Sequence, residues 1–148
     1  MNNNFRCHDL REFLNSDKKV ANEKSIDNIS SIYDIYSVFS KPDTYGFGLI
    51  DNRLLIAYVI FNTSGKNSNI QSIAVDSLYR RRGCGQKLLC QTLDFSFSSG
   101  CSICFLRVRV NNYAAIALYE KHNFSIKKKM YGYYENPSED AFEMSCYL

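Results

Sequence analysis

The chain has no tryptophan, two prolines, seven glycines and two histidines among its 148 residues. So little proline and glycine, with no periodic repeat, excludes collagen-like and low-complexity architectures. The longest unbroken apolar run is Leu54 to Phe61. Crossing a bilayer takes ~20 helical residues, so this run reads as a buried strand. Met1-Asn2-Asn3-Asn4-Phe5-Arg6 lacks the apolar segment and small-residue site of a secretory signal, which leads us to expect a cytoplasmic protein whose six cysteines are reduced thiols. There is no G-x-S-x-G, H-E-x-x-H or Walker A sequence, hence no mark of the hydrolases, zinc proteases and nucleotide triphosphatases that carry them.

What is present is ample core material, 45% hydrophobic and 14% aromatic residues, in a chain whose length suits one domain, residues 1–148. No linker-like stretch divides it. The net charge of +3 is unevenly spread. From Arg80 to Lys129 ten basic residues face two acidic ones, +8, which leaves −5 elsewhere. Such asymmetry points to an anionic ligand for the second half. Cys101-Ser102-Ile103-Cys104 is a C-x-x-C, but the remaining candidate ligands, Cys7-His8, are far away in sequence. These cysteines read as buried or turn residues, and no metal is expected.

The pattern of apolar residues predicts the elements. A weakly amphipathic helix covers about Asp9 to Val20. A second, with Ser25 as N-cap, carries Ile26, Ile29, Ile32, Tyr33, Tyr36 and Phe39 and stops before Pro42. Strands follow at about 44–50, 54–61 and 69–75, the first two joined through Asp51-Asn52 and the next pair through a loop, Asn62 to Asn67. A basic glycine-bearing loop, Arg80 to Gly85, leads into a helix that ends at Gly100. A strand from Ile103 to Val110 leads through Asn111-Asn112 to a helix over Tyr113 to His122, with Asn123 suited to a left-handed C-terminal position. Two long strands, about 124–134 and 140–147, close the chain, the last turning Phe142, Met144 and Cys146 inward. Consecutive strands beside strand-helix-strand units give an α/β fold, a mixed six- to seven-stranded sheet with about four helices on its two faces.

Arg80-Arg81-Arg82-Gly83-Cys84-Gly85 lies between a strand and a helix, where unpaired N–H groups and the positive end of the helix dipole favour a pyrophosphate. A helix N-terminus would also lower the Cys84 thiol pKa. The loop is not the dinucleotide fingerprint, which needs a third glycine. Together with Ile73-Ala74-Val75-Asp76, Tyr79, Leu106, Val108, Asn112, Ala114 to Glu120 and Phe124, it resembles the GNAT superfamily of acyl-CoA-dependent N-acetyltransferases. Tyr133-Tyr134, Glu139-Asp140-Ala141 and Met144 resemble the C-terminal signature of its RimI-type members, which acetylate the N-terminal alanine of a small-subunit ribosomal protein. The resemblance is close over residues 70–148 and faint before residue 65.

The resemblance implies acetyl-CoA as co-substrate, wedged between a splayed pair of parallel strands ending near Val75 and Val110. Its pantetheine arm would follow Ile73, Ala74 and Val75, and its pyrophosphate the backbone of Arg81, Arg82, Gly83, Cys84, Gly85 and Gln86. Asn112 would lie against the cofactor, and Tyr119 would protonate the departing thiolate. The other partner is a protein N-terminus, ribosomal in the RimI-type case; no membrane or direct nucleic-acid partner is expected, Lys127-Lys128-Lys129 reading as a solvated edge.

RimI-type enzymes carry a glutamate general base where this chain has Arg107, and a guanidinium stays protonated at working pH. Either the enzyme works without a strong base, with Glu135, Glu120 or a water chain collecting the proton, or the chain is a non-catalytic acyl-CoA-binding or interaction module. The first suits an α-amine of pKa about 7.7–8.0, roughly a quarter neutral near pH 7.4, far better than a lysine at about 10.4. Action on another amine stays open, because Ala21-Asn22-Glu23-Lys24 and the short turn Asn136-Pro137-Ser138 also depart from the RimI-type pattern where a peptide is received.

Overall fold

The computed structural model describes residues 5–16 and 37–148. Its elements are β1 (Cys7–Asp9), α1 (Leu10–Ser16), β2 (Thr44–Asp51), β3 (Leu54–Ser64), β4 (Asn67–Val75), a 3-10 turn (Ser77–Tyr79), α2 (Cys84–Ser98), β5 (Ile103–Arg109), α3 (Tyr113–Lys121), β6 (Ser125–Glu135) and β7 (Ser138–Tyr147). The helix expected from Ser25 to Phe39 and the stretch Ala21 to Lys24 lie outside the described residues apart from the helix's last positions.

The strands form one mixed seven-stranded sheet in the order β1-β2-β3-β4-β5-β7-β6. All neighbours are antiparallel except β4 and β5. On one face, Leu88 and Leu89 of α2 and Tyr119 of α3 pack onto Val59, Phe61, Leu106, Val108 and Met144. Phe95 of α2 sits among Tyr45, Phe47 and Phe61, with ring centroids 4.6, 5.8 and 5.5 Å away. On the other face, Leu10 and Leu14 of α1 cover Leu55, Tyr58 and Ile60. The close seating of α1 depends on Gly48, where a β-carbon would lie 2.7 Å from Leu55 Cδ1 and 3.2 Å from Leu10 Cδ1.

Three differences from the sequence reading have local causes. Strand β1 was not foreseen, because three residues are too few to show a period of two. It pairs Cys7, His8 and Asp9 with Leu49, Gly48 and Phe47, and Asp9 then caps α1 by accepting the Glu12 N–H at 3.0 Å. The loop expected from Asn62 to Asn67 is a two-residue turn, Gly65-Lys66. Polar residues carry the ladder on through Asn62↔Asn69, Thr63↔Ser68 and Ser64↔Asn67, and buried Ser68 accepts a 2.8 Å hydrogen bond from Ser96 of α2. Likewise β6 and β7 run up to the turn Asn136-Pro137, whose peptide bond is cis.

The parallel pairing of β4 with β5 runs only from Asn67↔Ile103 to Ile70↔Leu106. It stops at an irregularity: Phe61 faces Ile70 and Ile60 faces Ser72, leaving Gln71 as an extra residue in β4. A bulge bends and twists the strand that carries it. Beyond it, β4 pairs only with β3 and β5 only with β7, so the two parallel strands splay.

All six cysteines are free thiols. Cys104 and Cys146 are cross-strand partners in the core, where burial pushes their thiols up to about 12 and about 11. The unfolded chain therefore releases these protons first. Their contribution to stability is whole below about pH 9 and is lost as pH rises through the folded values, by up to about 1.4 kcal/mol per pH unit for each titrating thiol. Denaturant titrations should show stability falling from pH 9 to 11, with a shallower slope in Cys104→Ala/Cys146→Ala.

Candidate active site

The splay exposes backbone that a continuous sheet would have used. Asp76 N–H donates to Ile56 O at 2.8 Å. By the alternation of an antiparallel ladder, Ala74 and Asp76 turn their peptide groups toward β3, while those of Ile73 and Val75 face the gap toward β5. One of these, Val75 O, accepts from Arg80 Nε at 3.3 Å.

The loop at the mouth of the gap is shaped for an anion. Arg81 and Gly83 have positive φ, 63° and 78°, and Gly83 caps α2 without a side chain. The first internal bond of the helix is Lys87 N–H to Gly83 O, 2.9 Å. The N–H groups of Cys84, Gly85 and Gln86 therefore have no intrahelical acceptor. Gly85 brings α2, α3 and the end of β4 together, since a β-carbon there would lie 3.3 Å from Leu118 and 3.8 Å from Val75. Arg82 lies over the Tyr79 ring at 5.2 Å, Tyr79 donates to Asp51 at 2.7 Å, and Lys87 donates to the Phe5 carbonyl. The Cys84 thiol corrects the sequence reading. Burial outweighs Arg82 and pushes its pKa up, not down, because its sulfur packs in the core with Leu88 and Leu89 rather than facing the loop.

On α3, Asn112 accepts the Ala115 N–H through Oδ1 at 3.3 Å, leaving its Nδ2 to donate. Tyr119 is buried beside Phe124. Desolvation, with a smaller contribution from Tyr134, pushes its hydroxyl up to about 12, so it keeps its proton at any working pH. His122 at the end of α3 donates from Nδ1 to Leu118 O at 2.9 Å, and its Nε2 lies 3.5 Å from Cys90 Sγ.

Arg107 and Arg109 alternate along β5 with the buried Leu106 and Val108 and so face away from this group. Arg109 lies over the Tyr134 ring at 4.1 Å, pairs with Glu139 at 3.2 Å and donates to the carbonyls of Asn136 and Pro137. The second Glu139 oxygen accepts the Asn111 N–H at 3.1 Å. Next to it Arg107 stands opposite Glu143 in register, 3.0 Å from its Oε2, with its guanidinium 5.7 Å from the centre of the Tyr133 ring. The sequence reading missed Glu143. Its parity was visible, since Glu143 is out of phase with Met144 and Cys146 as Arg107 is with Leu106 and Val108, but the register that joins the two was not. Glu135 ends β6 and Glu120 is exposed on α3.

A splayed parallel pair with a helix N-terminus lacking any side-chain cap at its mouth defines a class, and residues 7–124 match the acetyltransferase (GNAT) family. The chain belongs to that family. Among its relatives it is 41% identical over 81 residues to an N-alpha-acetyltransferase of Saccharolobus solfataricus, covering 54% of this chain and 48% of that protein. It is 35% identical over 101 residues to the [ribosomal protein bS18]-alanine N-acetyltransferase of Escherichia coli, covering 67% and 68%. The chain thus spans about half the length of the first and two thirds of the second. The crystal structure of the Escherichia coli ribosomal-protein-S18-alanine N-acetyltransferase superposes with a TM-score of 0.79 over 97% of this chain and 93% of that one, at 26% identity. The fold is also that of Arabidopsis thaliana NAA60 in complex with acetyl-CoA, TM-score 0.73 over 97% of both chains at 17% identity. Among the described residues, no helix is long and apolar enough to cross a membrane, and no three His, Cys, Asp or Glu side chains cluster as metal ligands.

The geometry at Cys84 is checked by alkylation. Iodoacetamide at pH 8 should label Cys84 at least about tenfold more slowly in the native protein than in guanidinium, because attack needs an accessible thiolate.

Proposed function

We propose that residues 1–148 act as one GNAT domain that transfers an acetyl group from acetyl-CoA to the N-terminal α-amine of a protein, with an alanine-leading small-subunit ribosomal protein as the favoured acceptor. The observation that carries this reading is the β4–β5 splay with α2 opening at its mouth, in a chain that follows the bS18-alanine enzyme's fold along 97% of its length. A ribosomal acceptor makes the enzyme cytoplasmic.

Acetyl-CoA supplies an activated thioester, and the chain's own groups suit its parts. The free N–H groups of Cys84, Gly85 and Gln86, in a loop with Arg81, Arg82 and Gly83, hold the pyrophosphate. Ile73 and Val75 offer peptide groups to the pantetheine amides, with Ala74 keeping β4 against β3. The Val75 N–H stabilises developing charge on the thioester oxygen. Asn112 donates from Nδ2 to the cofactor. Tyr119 donates its proton to the sulfur as the carbon–sulfur bond breaks. The reading that favours no turnover rests on Arg107, a cation where RimI-type enzymes have a base.

A peptide panel separates these readings. With N-terminal Ala, Ser, Met or internal Lys acceptors, free-thiol release from acetyl-CoA should be fastest with N-terminal Ala; binding of acetyl-CoA with no acceptor consumed supports the non-catalytic module. Tyr119→Phe should lower kcat about 100-fold while leaving the acetyl-CoA Kd within about twofold. Since an acid acts only while protonated and Tyr119 holds its proton to about pH 12, its loss should not limit turnover between pH 8 and 10.

A further inference from the structure

Three carboxylates on β7 face the cations of β5 and β6, and their oxygens are not equally occupied. Glu139 uses both, one on Arg109 and one on the Asn111 N–H. Asp140 uses both, one on the Gly132 N–H at 2.8 Å and one on Lys129 at 3.4 Å. Glu143 uses Oε2 alone, on Arg107, so that Oε1 has no partner among the described residues. Its side chain is 19% exposed, so it is mostly shielded yet not closed off from the surface.

We infer that Glu143 is the group that binds the acceptor's α-ammonium and takes its proton, the carboxylate having moved one strand across the β5–β7 pair from position 107. This deepens the acetyltransferase reading and rests on it. Residues directly opposite in an antiparallel pair project from the same face with β-carbons about 5 Å apart, so a carboxylate on β7 at 143 serves nearly the same space as one on β5 at 107. Arg107 has two consequences. It fixes Glu143 Oε2, which leaves Oε1 as the one acceptor, and its own charge is cancelled by that ion pair. The Tyr133 and Tyr134 rings, 5.0 Å apart, lie under Arg107 and Arg109 respectively and flank this carboxylate on the β6 side. In the step, the α-ammonium loses a proton to Glu143 Oε1, directly or through one water, and Glu143 passes it to solvent. The amine lone pair forms the carbon–nitrogen bond, the carbon–sulfur bond breaks, and the thiolate gains one proton as the new amide nitrogen loses one.

Three variants test this with an N-terminal Ala peptide, each first checked for native circular dichroism and acetyl-CoA binding. Glu143→Gln should lower kcat/KM about 100-fold with acetyl-CoA Kd within about twofold. Arg107→Gln/Glu143→Gln should stay equally slow, because no carboxylate returns; recovery there would show that only an unneutralised Arg107 had been harmful and would overturn the proposal. Arg107→Glu/Glu143→Arg, which returns the carboxylate to β5 with its partner reversed, should recover to within about tenfold of the starting protein. A folded swap no faster than Glu143→Gln, or a Glu143→Gln enzyme within twofold of the original, also overturns it. Absence of turnover by the unaltered chain sinks the acetyltransfer reading as well, whereas activity retained in Glu143→Gln sinks the proposal alone.

Discussion

The constraint on which the rest of the structure depends is that β4 and β5 pair for four residues and then part. The extra residue at Gln71 bends β4 away, and each strand keeps its outer neighbour, so the sheet opens without losing its edges. Opening costs hydrogen bonds, since peptide groups at Ile73 and Val75 no longer have a strand to meet. The sequence answers part of that cost from nearby: the Arg80 side chain donates to Val75 O. What remains is a strip of unpaired backbone at the C-terminal ends of two parallel strands, where α/β sheets take ligands. The short connection from Val75 to Cys84 then delivers the start of α2 to the same place, and Gly85 lets it approach α3 and β4 closely enough to close the floor.

The opposite wall is built by charge rather than by apolar packing. Arg109, the last residue of β5, reaches two carbonyls of the β6–β7 turn, one Glu139 oxygen and the Tyr134 ring. Glu139 returns its other oxygen to the turn that starts α3. The hairpin tip and the entry to α3 are thereby tied through one guanidinium, whose rigid fork of donors suits it to such a junction better than lysine. Asp140 does the same for the bulged part of β6. The Gly132 N–H, with Lys129 adding to it, holds its carboxyl below the usual range.

Most of the fold was legible because it follows short-range rules. Apolar runs marked β2, β3 and β5, alanines and Asn112 marked α3, and glycine with basic residues marked the loop before α2. The polar ends of β3 and β4 read as loop, because Asn62 to Asn67 carry no apolar pattern; their ladder is stabilised by the Ser68–Ser96 contact, between residues 28 apart. The Cys84 thiol misled for a related reason. Its place at a helix start was local and readable, whereas its burial depended on which way α2 would roll. Tyr119 and the loop residues could be singled out from their resemblance to a family, but Glu143 could not, since its meaning depends on a partner in a different strand.

The charge of the second half takes on a different sense once that register is known. The sequence places ten cations between Arg80 and Lys129 and suggests one broad anion-binding surface. Three of them, Arg107, Arg109 and Lys129, meet Glu143, Glu139 and Asp140 of β7 at 3.0, 3.2 and 3.4 Å. Their field therefore falls off within a few ångströms instead of reaching across the cleft. No described carboxylate pairs with Arg80, Arg81 or Arg82. Positive charge at the loop before α2 is thus left without an ion-paired carboxylate among the described residues, whereas Arg107 and Arg109 beyond the splay are each paired. A molecule with a polyanionic head and an uncharged reactive tail is oriented by that difference before any specific contact forms. On the far side the ion pairs leave one β7 carboxylate oxygen, Glu143 Oε1, without a partner among the described residues.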